Sequence, residues 1–284
     1  MSLDTKTILV SLNCSQWAAQ KIDKNATNQA NNAHGAKSDA GRYNKHLISK
    51  HALKKIQTAV NEARTYHHNN TLDWAESTGT RILPLKKIPT YSAYMRQARR
   101  EFDRSVEAFL ESYPRYVEHA RERLGDMFDI LDFPPVETIA EKFKFEHRFT
   151  PVPTSGDFRI DIPQADLMAI KTDLQNRLDH ASVHATADLH QRASHTLGAL
   201  YATLAVPSRR VFRTTVHENL VILTEQIRDM NFEEDAKLNQ VSNYVSDNLL
   251  NISPEMLKDN DAFRQECLQK ADTAVRMLND ATIT

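Results

Sequence analysis

Apolar side chains recur every third or fourth position through most of this chain, the spacing of one buried face on an α-helix. Leu53, Ile56, Val60, Ala63 and His67 make one such face. Phe102, Val106, Phe109, Tyr113, Val117, Ala120, Leu124, Phe128 and Leu131 make a second. It predicts a helix of roughly 40 residues, about 60 Å long, from near Thr90, with Pro114 inside to kink or split it. The longest predicted helix follows Pro163 and runs from Gln164 to Ala205, with Pro207 ending it. Its stripe is Leu167, Ile170, Leu174, Leu178, Ala181, Ala185, Leu189, Ala193, Leu197, Leu200 and Leu204. Small residues in the middle of that stripe let a partner helix approach closely. Phe212, Val216, Leu220, Leu223, Ile227 and Met230 predict another helix, and Leu238, Val241, Val245 and Leu249 a further one. Ser253-Pro254-Glu255 supplies an N-cap and a first-turn proline for a last helix carrying Phe263, Cys267, Ala271, Ala274 and Leu278. The expected fold class is mainly α, with long antiparallel helices in a bundle or coiled-coil-like arrangement.

Between these helices the period falls to two. Phe145, His147 and Phe149 alternate with Glu146, Arg148 and Thr150; after a Pro- and Gly-containing turn, Phe158, Ile160 and Ile162 alternate with Asp157, Arg159 and Asp161. That is a β-hairpin over 144–162. A lone hairpin is marginal in water, so a third strand is expected, from the N-terminal TILVSL segment in cis or from another subunit in trans. Periodicity cannot decide whether Thr7–Trp17 is a strand or a helix start. Residues 23–44 lack an apolar face and read as a mobile loop, and 69–90 read as a connection whose Leu72, Trp74, Ile82 and Leu83 dock on the helices. Asp132-Phe133-Pro134-Pro135 reads as a stop followed by a new helix start, with Ile139 and Phe143 one turn apart. The expected organisation is an N-terminal segment and loop over 1–44, a basic helical region with a helix pair and the hairpin over 45–162, and an acidic helical bundle over 163–284.

Charge changes this picture more than composition does. Residues 1–104 hold 17 Lys and Arg against 8 Asp and Glu, and residues 105–284 hold 19 against 29, which cancel to a net −1. A basic arm on an acidic body can bind a polyanion or the acidic body of another copy. The 6 glycines, where a chain of this length averages roughly 20, disfavour glycine-cradled phosphate loops and turn-rich all-β folds. Two cysteines, Cys14 and Cys267, are too few for a disulfide scaffold or a thiolate zinc site. Neither a signal peptide nor a membrane span is expected, and the cytoplasm is the expected compartment.

No GxSxG, Walker A, GxGxxG or HExxH motif occurs, and neither cysteine has an evident histidine partner, so no catalytic residue is named. Carboxylate pairs brought together only in space stay open. The nucleic-acid candidate is Lys86 and Lys87, followed by Tyr91, Tyr94, Arg96, Arg99, Arg100 and Arg104. Arg96, Arg100 and Arg104 share one stripe at one-turn spacing, suited to consecutive phosphates, with the tyrosines available to stack on bases. Lys45, Lys50, Lys54 and Lys55 suggest a second basic helix, and Arg209, Arg210 and Arg213 a smaller knot. The alternative is a solvated arginine face paired with carboxylates. The metal candidate is His180, His184 and Asp188, spaced i, i+4, i+8, with His190 and His195 following; the alternative is a pH-sensitive histidine stripe. No cofactor is expected.

LVSLNCSQWAAQKIDKNAT, YNKHLISKHAL, ARTYHHNNTLDW with GTRILPL, and DFPPVETIAEKFKFEHRFTPVPTSGDFRI, spread over residues 9–160, resemble an uncharacterised family of phage and bacterial proteins. The resemblance implies genes close to those of MoxR-type AAA ATPases and von Willebrand A-domain proteins, and no residue role carries over. The leading expectation is a non-catalytic, self-associating helical adaptor or scaffold, phage-derived and accessory to an AAA ATPase or to DNA metabolism. A single- or double-stranded nucleic-acid binder, annealing strands through residues 86–104, and a metal-dependent enzyme centred on His180 and His184 are the alternatives.

Overall fold

The computed structural model describes residues 5–75, 79–154, 164–206, 214–252, 256–257 and 260–279. The chain is mainly α with a small antiparallel sheet, as the periodicity predicts. It folds into two compact units, and the chain passes between them four times. One comprises Met1–Ser11, His67–Pro89 and Arg148–Thr284; the other comprises Leu12–Tyr66 and Thr90–His147. The charges sorted along the chain are not sorted between the units. The first holds 18 Lys and Arg against 22 Asp and Glu, the second 18 against 15.

The four-stranded sheet has the order β4-β5-β1-β6, where β1 is Thr7–Ser15, β4 Leu72–Asp73, β5 Thr80–Pro84 and β6 Lys144–Thr150. The ambiguous N-terminal segment is thus a strand. Its antiparallel register on β5 runs from Thr7↔Pro84 to Ser11↔Thr80. As one of the two expected routes requires, β1 is the cis neighbour of β6. The second half of the expected hairpin, with Asp157, Arg159 and Asp161, lies outside the described residues. So do Arg209, Arg210, Arg213 and the Ser253-Pro254-Glu255 helix start. Residues 69–90, expected only to connect, include β4 and β5; their Leu72, Ile82 and Leu83 are fully buried. Gly79, at φ +91°, makes the turn before β5 in a conformation that a side chain would strain.

The first unit is built on α5 (Gln164–Leu204), with α6 (Thr214–Met230), α7 (Ala236–Asn248) and α8 (Asp261–Asn279). α5 packs against α6, α8 and β4, while α7 packs against α6 and α8. The α5 stripe is buried from Leu178 to Leu204, with Leu189, Ala193 and Leu197 fully so. Its N-terminal turns differ from expectation, since Ile170 is exposed and Leu167 and Leu174 are only half-buried. Leu238, Val241 and Val245 of α7 and its C-cap Leu249 are fully buried, as are Cys267, Ala271 and Ala274 from α8. The last helix begins at Asp261, where Asn260 caps it by accepting from the Phe263 N–H at 3.0 Å.

The second unit centres on α3 (Ile88–Leu124), which continues through Pro114 without being split. Its buried residues include Phe102, Phe109, Tyr113, Ala120 and Leu124. The predicted stripe stops there because Gly125 takes φ +51°, a left-handed helix end, and Leu131 beyond it is 84% exposed. Trp17 packs edge-on to Tyr113 at 5.8 Å, and Phe109 meets Phe143 at 5.6 Å. Tyr113 donates to the Pro134 carbonyl at 3.0 Å, and burial pushes its phenol up to about 12. α2 (Lys54–Asn69) buries Ile56, Val60 and Ala63 as predicted; α4 (Val136–Ala140) buries Ile139 but ends before Phe143, which the expected helix included and which instead packs on Phe109.

Residues 24–33, expected in a loop, form α1 (Lys24–Ala33). Polar side chains rather than an apolar face hold it. Asp23 caps it by accepting from the Ala26 N–H, Thr27 accepts from the Tyr43 N–H, and buried Asn31 donates to the Ser38 and Gly41 carbonyls. A two-stranded ribbon of β2 (Gln20–Ile22) and β3 (Asn44–His46) flanks it in sequence. Lys45 lies in β3 and not on a basic helix. Its Nζ is buried with Asp132 Oδ2 at 2.6 Å, Asp23 Oδ2 at 3.4 Å and the Met127 carbonyl at 2.7 Å, and Lys21 also holds Asp132. Burial works against the charge on Lys45, but hydrogen bonds and attraction from Asp132 and Asp23 outweigh it and raise its pKa. Burial likewise opposes the charge on Asp132, and the two lysines more than compensate, holding its carboxyl below the ordinary range.

Candidate functional site

The arginine stripe forms as the spacing requires. Arg96, Arg99, Arg100 and Arg104 are all exposed on α3. Arg99 is 3.6 Å from Asp103, both side chains being more than half exposed, and Arg100 donates to Gln97. Among the described residues no carboxylate lies within ion-pair distance of Arg96, Arg100 or Arg104. His147, from β6, is kept neutral beside this face: burial lowers its pKa, then the charges of Arg99 and Arg96.

The aromatic part of the candidate is built differently. Tyr91 is fully buried, so its ring is part of the core and cannot meet a base. Tyr94 is half-buried and stacks on Tyr66 of α2, with ring centroids 3.6 Å apart and planes 7° from parallel. Lys86 and Lys87 belong to the other unit, where they close on the Asp229 carboxylate of α6 at 2.8 and 3.0 Å. Lys87 also donates to Asn70 at 3.0 Å. Burial resists the charge on Asp229, but the two lysines overcome it and lower its pKa. Of the eight residues grouped by sequence, only the four arginines share an exposed face.

His180 and His184 lie one turn apart on α5, both exposed, with ring centroids separated by 6.4 Å. Asp188 does not complete a set with them. Its carboxylate accepts a bidentate pair from Arg192 at 3.0 and 2.9 Å and the Asp73 N–H at 3.2 Å, and it lies 3.8 Å from Arg81. Among the described residues no three His, Cys, Asp or Glu side chains gather as a metal site would need. His190 instead meets Asp235, the N-cap of α7, at 3.0 Å.

The Asp188 network is the group that sequence reading missed. Arg81, from β5, also bonds the Asp73 carboxylate, the Thr71 hydroxyl at 2.6 Å and the Thr71 carbonyl at 3.1 Å. Arg192 reaches the His68 carbonyl at 3.0 Å. Burial, then Arg192 and Arg81, lower the pKa of His68 and keep it neutral. The Asp188–Arg192 spacing of i, i+4 was the one local signal of this network. The strand partners are too distant in sequence to see.

A family model described as "Protein of unknown function (DUF3150)" matches residues 5–255. The chain belongs to the DUF3150 family. The four segments quoted from residues 9–160 fall within that match, as do the arginine face and the Asp188 network. No curated protein and no solved structure matches the chain. The family description names no activity, so the functional reading of this DUF3150 member rests on its own side chains. Among the described residues, no helix is long and apolar enough to cross a membrane.

Proposed function

We propose that this DUF3150 protein is a non-catalytic adaptor that engages a polyanion, single-stranded nucleic acid, through the exposed arginine face of α3. The observation that carries the reading is the stripe of Arg96, Arg100 and Arg104. Successive guanidinium groups are one helical turn apart, exposed, and not engaged by carboxylates among the described residues. Guanidinium groups in that state neutralise phosphates and release counterions. Arg99 and His147 extend the face; burial first, then the charges of Arg99 and Arg96, lower the His147 pKa, and an anion seated there would relieve the second of these.

Because the compact units are nearly charge-balanced, the local face supports this reading better than a dipole of the whole chain does. Self-association, a phage or bacterial cytoplasmic setting and service to an AAA ATPase complete the proposal. The setting and the ATPase rest on the resemblance of residues 9–160, and self-association on the opposed charge of residues 1–104 and 105–284. The test is binding of a labelled single-stranded oligonucleotide as salt is raised from about 50 mM. Wild type should bind with a steep log–log slope, and each of Arg96→Ala, Arg100→Ala and Arg104→Ala should flatten it by about 0.7. Absence of binding at low salt, or slopes that the variants leave unchanged, would remove the reading. Native mass at low and high salt tests the self-association clause separately.

A further inference from the structure

The Asp188 network borders a cleft in the first unit of about 470 Å³, within the range of small-ligand sites at roughly 300–1,000 Å³. Around it stand His68, Gln191, Arg192, His195, Asn219 and Gln226. None of these residues serves the arginine face, so a ligand of this cleft is independent of the nucleic-acid reading.

Charge comes first. The cations at the cleft, Arg192 and the adjoining Arg81, are matched by the carboxylates of Asp188 and Asp73, and His68 is held neutral by burial and by both arginines. A charge-balanced wall gives no net attraction to a polyphosphate or to a polyamine. Rigidity is second. Arg192 is fixed by three hydrogen bonds, two to Asp188 and one to the His68 carbonyl. Gln226 is buried, and its Nε2 donates to the Asn69 carbonyl at 3.0 Å, which fixes its amide at the cleft wall. Third is the kind of surface these groups make. The exposed carboxamides of Gln191 and Asn219 each offer a donor beside an acceptor, the pairing that matches the edge of a nucleobase. The His68 and His195 imidazoles and the Arg192 guanidinium offer flat faces on which such a ring stacks. Ala199 and Ile222 add apolar wall.

We infer that this cleft binds an uncharged nucleobase-bearing ligand, a nucleoside rather than a nucleoside polyphosphate. Asn219 and Gln191 read the base edge, while His195 and Arg192 flank its faces.

The experiment is calorimetric titration of the full chain with adenosine, guanosine, cytidine and uridine, beside their 5′-triphosphates and a set of free amino acids. At least one nucleoside should saturate the protein with a Kd on the order of 0.1–1 mM, modest because few contacts are made. Its triphosphate should bind no better. Asn219→Ala and His195→Ala, both at exposed positions, should each weaken that nucleoside about fivefold or more while leaving the thermal midpoint unchanged. Four nucleosides that fail to bind would overturn the inference. So would a triphosphate or an amino acid that binds more tightly, or variants with wild-type affinity. Loss of oligonucleotide binding through the α3 arginines leaves it standing.

Discussion

Asp132 in the second unit and Asp188 in the first each lie between two cations, and the two arrangements differ in what surrounds them. In the second unit Asp132 lies between Lys21 and Lys45; its side chain is 3% exposed and that of Lys45 is 7%. In the first, Asp188 lies between Arg192 and Arg81 at 13%, 11% and 12%, beside open volume. Lysine is a compact charge that can be closed over completely, and Lys45 is also bound by Asp23 and the Met127 carbonyl. Arginine is a rigid fork, and Arg192 commits two of its donors to Asp188 while lining the cleft. Similar charge chemistry therefore makes a clasp in one place and a recognition surface in the other.

The clasp should be the more costly to break. Lys45→Met leaves Asp132 with only half-exposed Lys21 and should lower stability by about 3 kcal/mol in denaturant unfolding. Adding Asp132→Leu should return most of that loss, because the uncompensated charge goes with it. A double variant no more stable than the single one would show that the clasp is not a self-contained pair.

Acid and alkali probe the same clasp without mutation. The Asp132 pKa is lowered from 3.8, so its contribution is complete above that value and disappears as pH falls through the folded pKa. Lys45 is raised from 10.5, so its contribution is complete below that value and disappears as pH rises through the folded pKa. The stability difference between wild type and the double variant should therefore be flat between those limits and shrink outside them. A difference that changes near pH 6–7 would point to a histidine instead.

At the open network, Arg192→Lys should cost less, about 1–2 kcal/mol, since a lysine keeps the charge but not the bidentate fork. A cost equal to that of Lys45→Met would erase the distinction between the two arrangements. The smallest effect belongs to the α3 face: Arg96→Ala, Arg100→Ala and Arg104→Ala should each change stability by less than about 0.5 kcal/mol. Thermal melts of the three variants check this.

How far the sequence reveals each element depends on where its stabilising contacts lie. Ile56, Val60 and Ala63 on α2, and Leu178 through Leu204 on α5, were legible because each stripe faces a core over several turns. α1 was not, since its Asp23, Thr27 and Asn31 hydrogen bonds have no hydrophobic period. β4 and β5 are two and five residues long, too short for alternation to rise above their surroundings. The arginine face was legible from one-turn spacing alone. Tyr91, Lys45 and Asp188 looked like surface or ligand groups because what engages them comes from other elements: Tyr66 and His147, Asp132, and Arg81.

The fourfold passage of the chain between its units sets an order of events during synthesis. The second unit has all its residues once His147 has left the ribosome, so its helices and clasp can close while the rest is still being made. The opening half of β1 belongs to the other unit, whose bundle needs α5 through α8. Thr7–Ser11 have their β5 partners once Pro84 is made, but the rest of their unit waits for α5 through α8, so a ribosome stalled midway would hold one finished unit and one that has only its first strands.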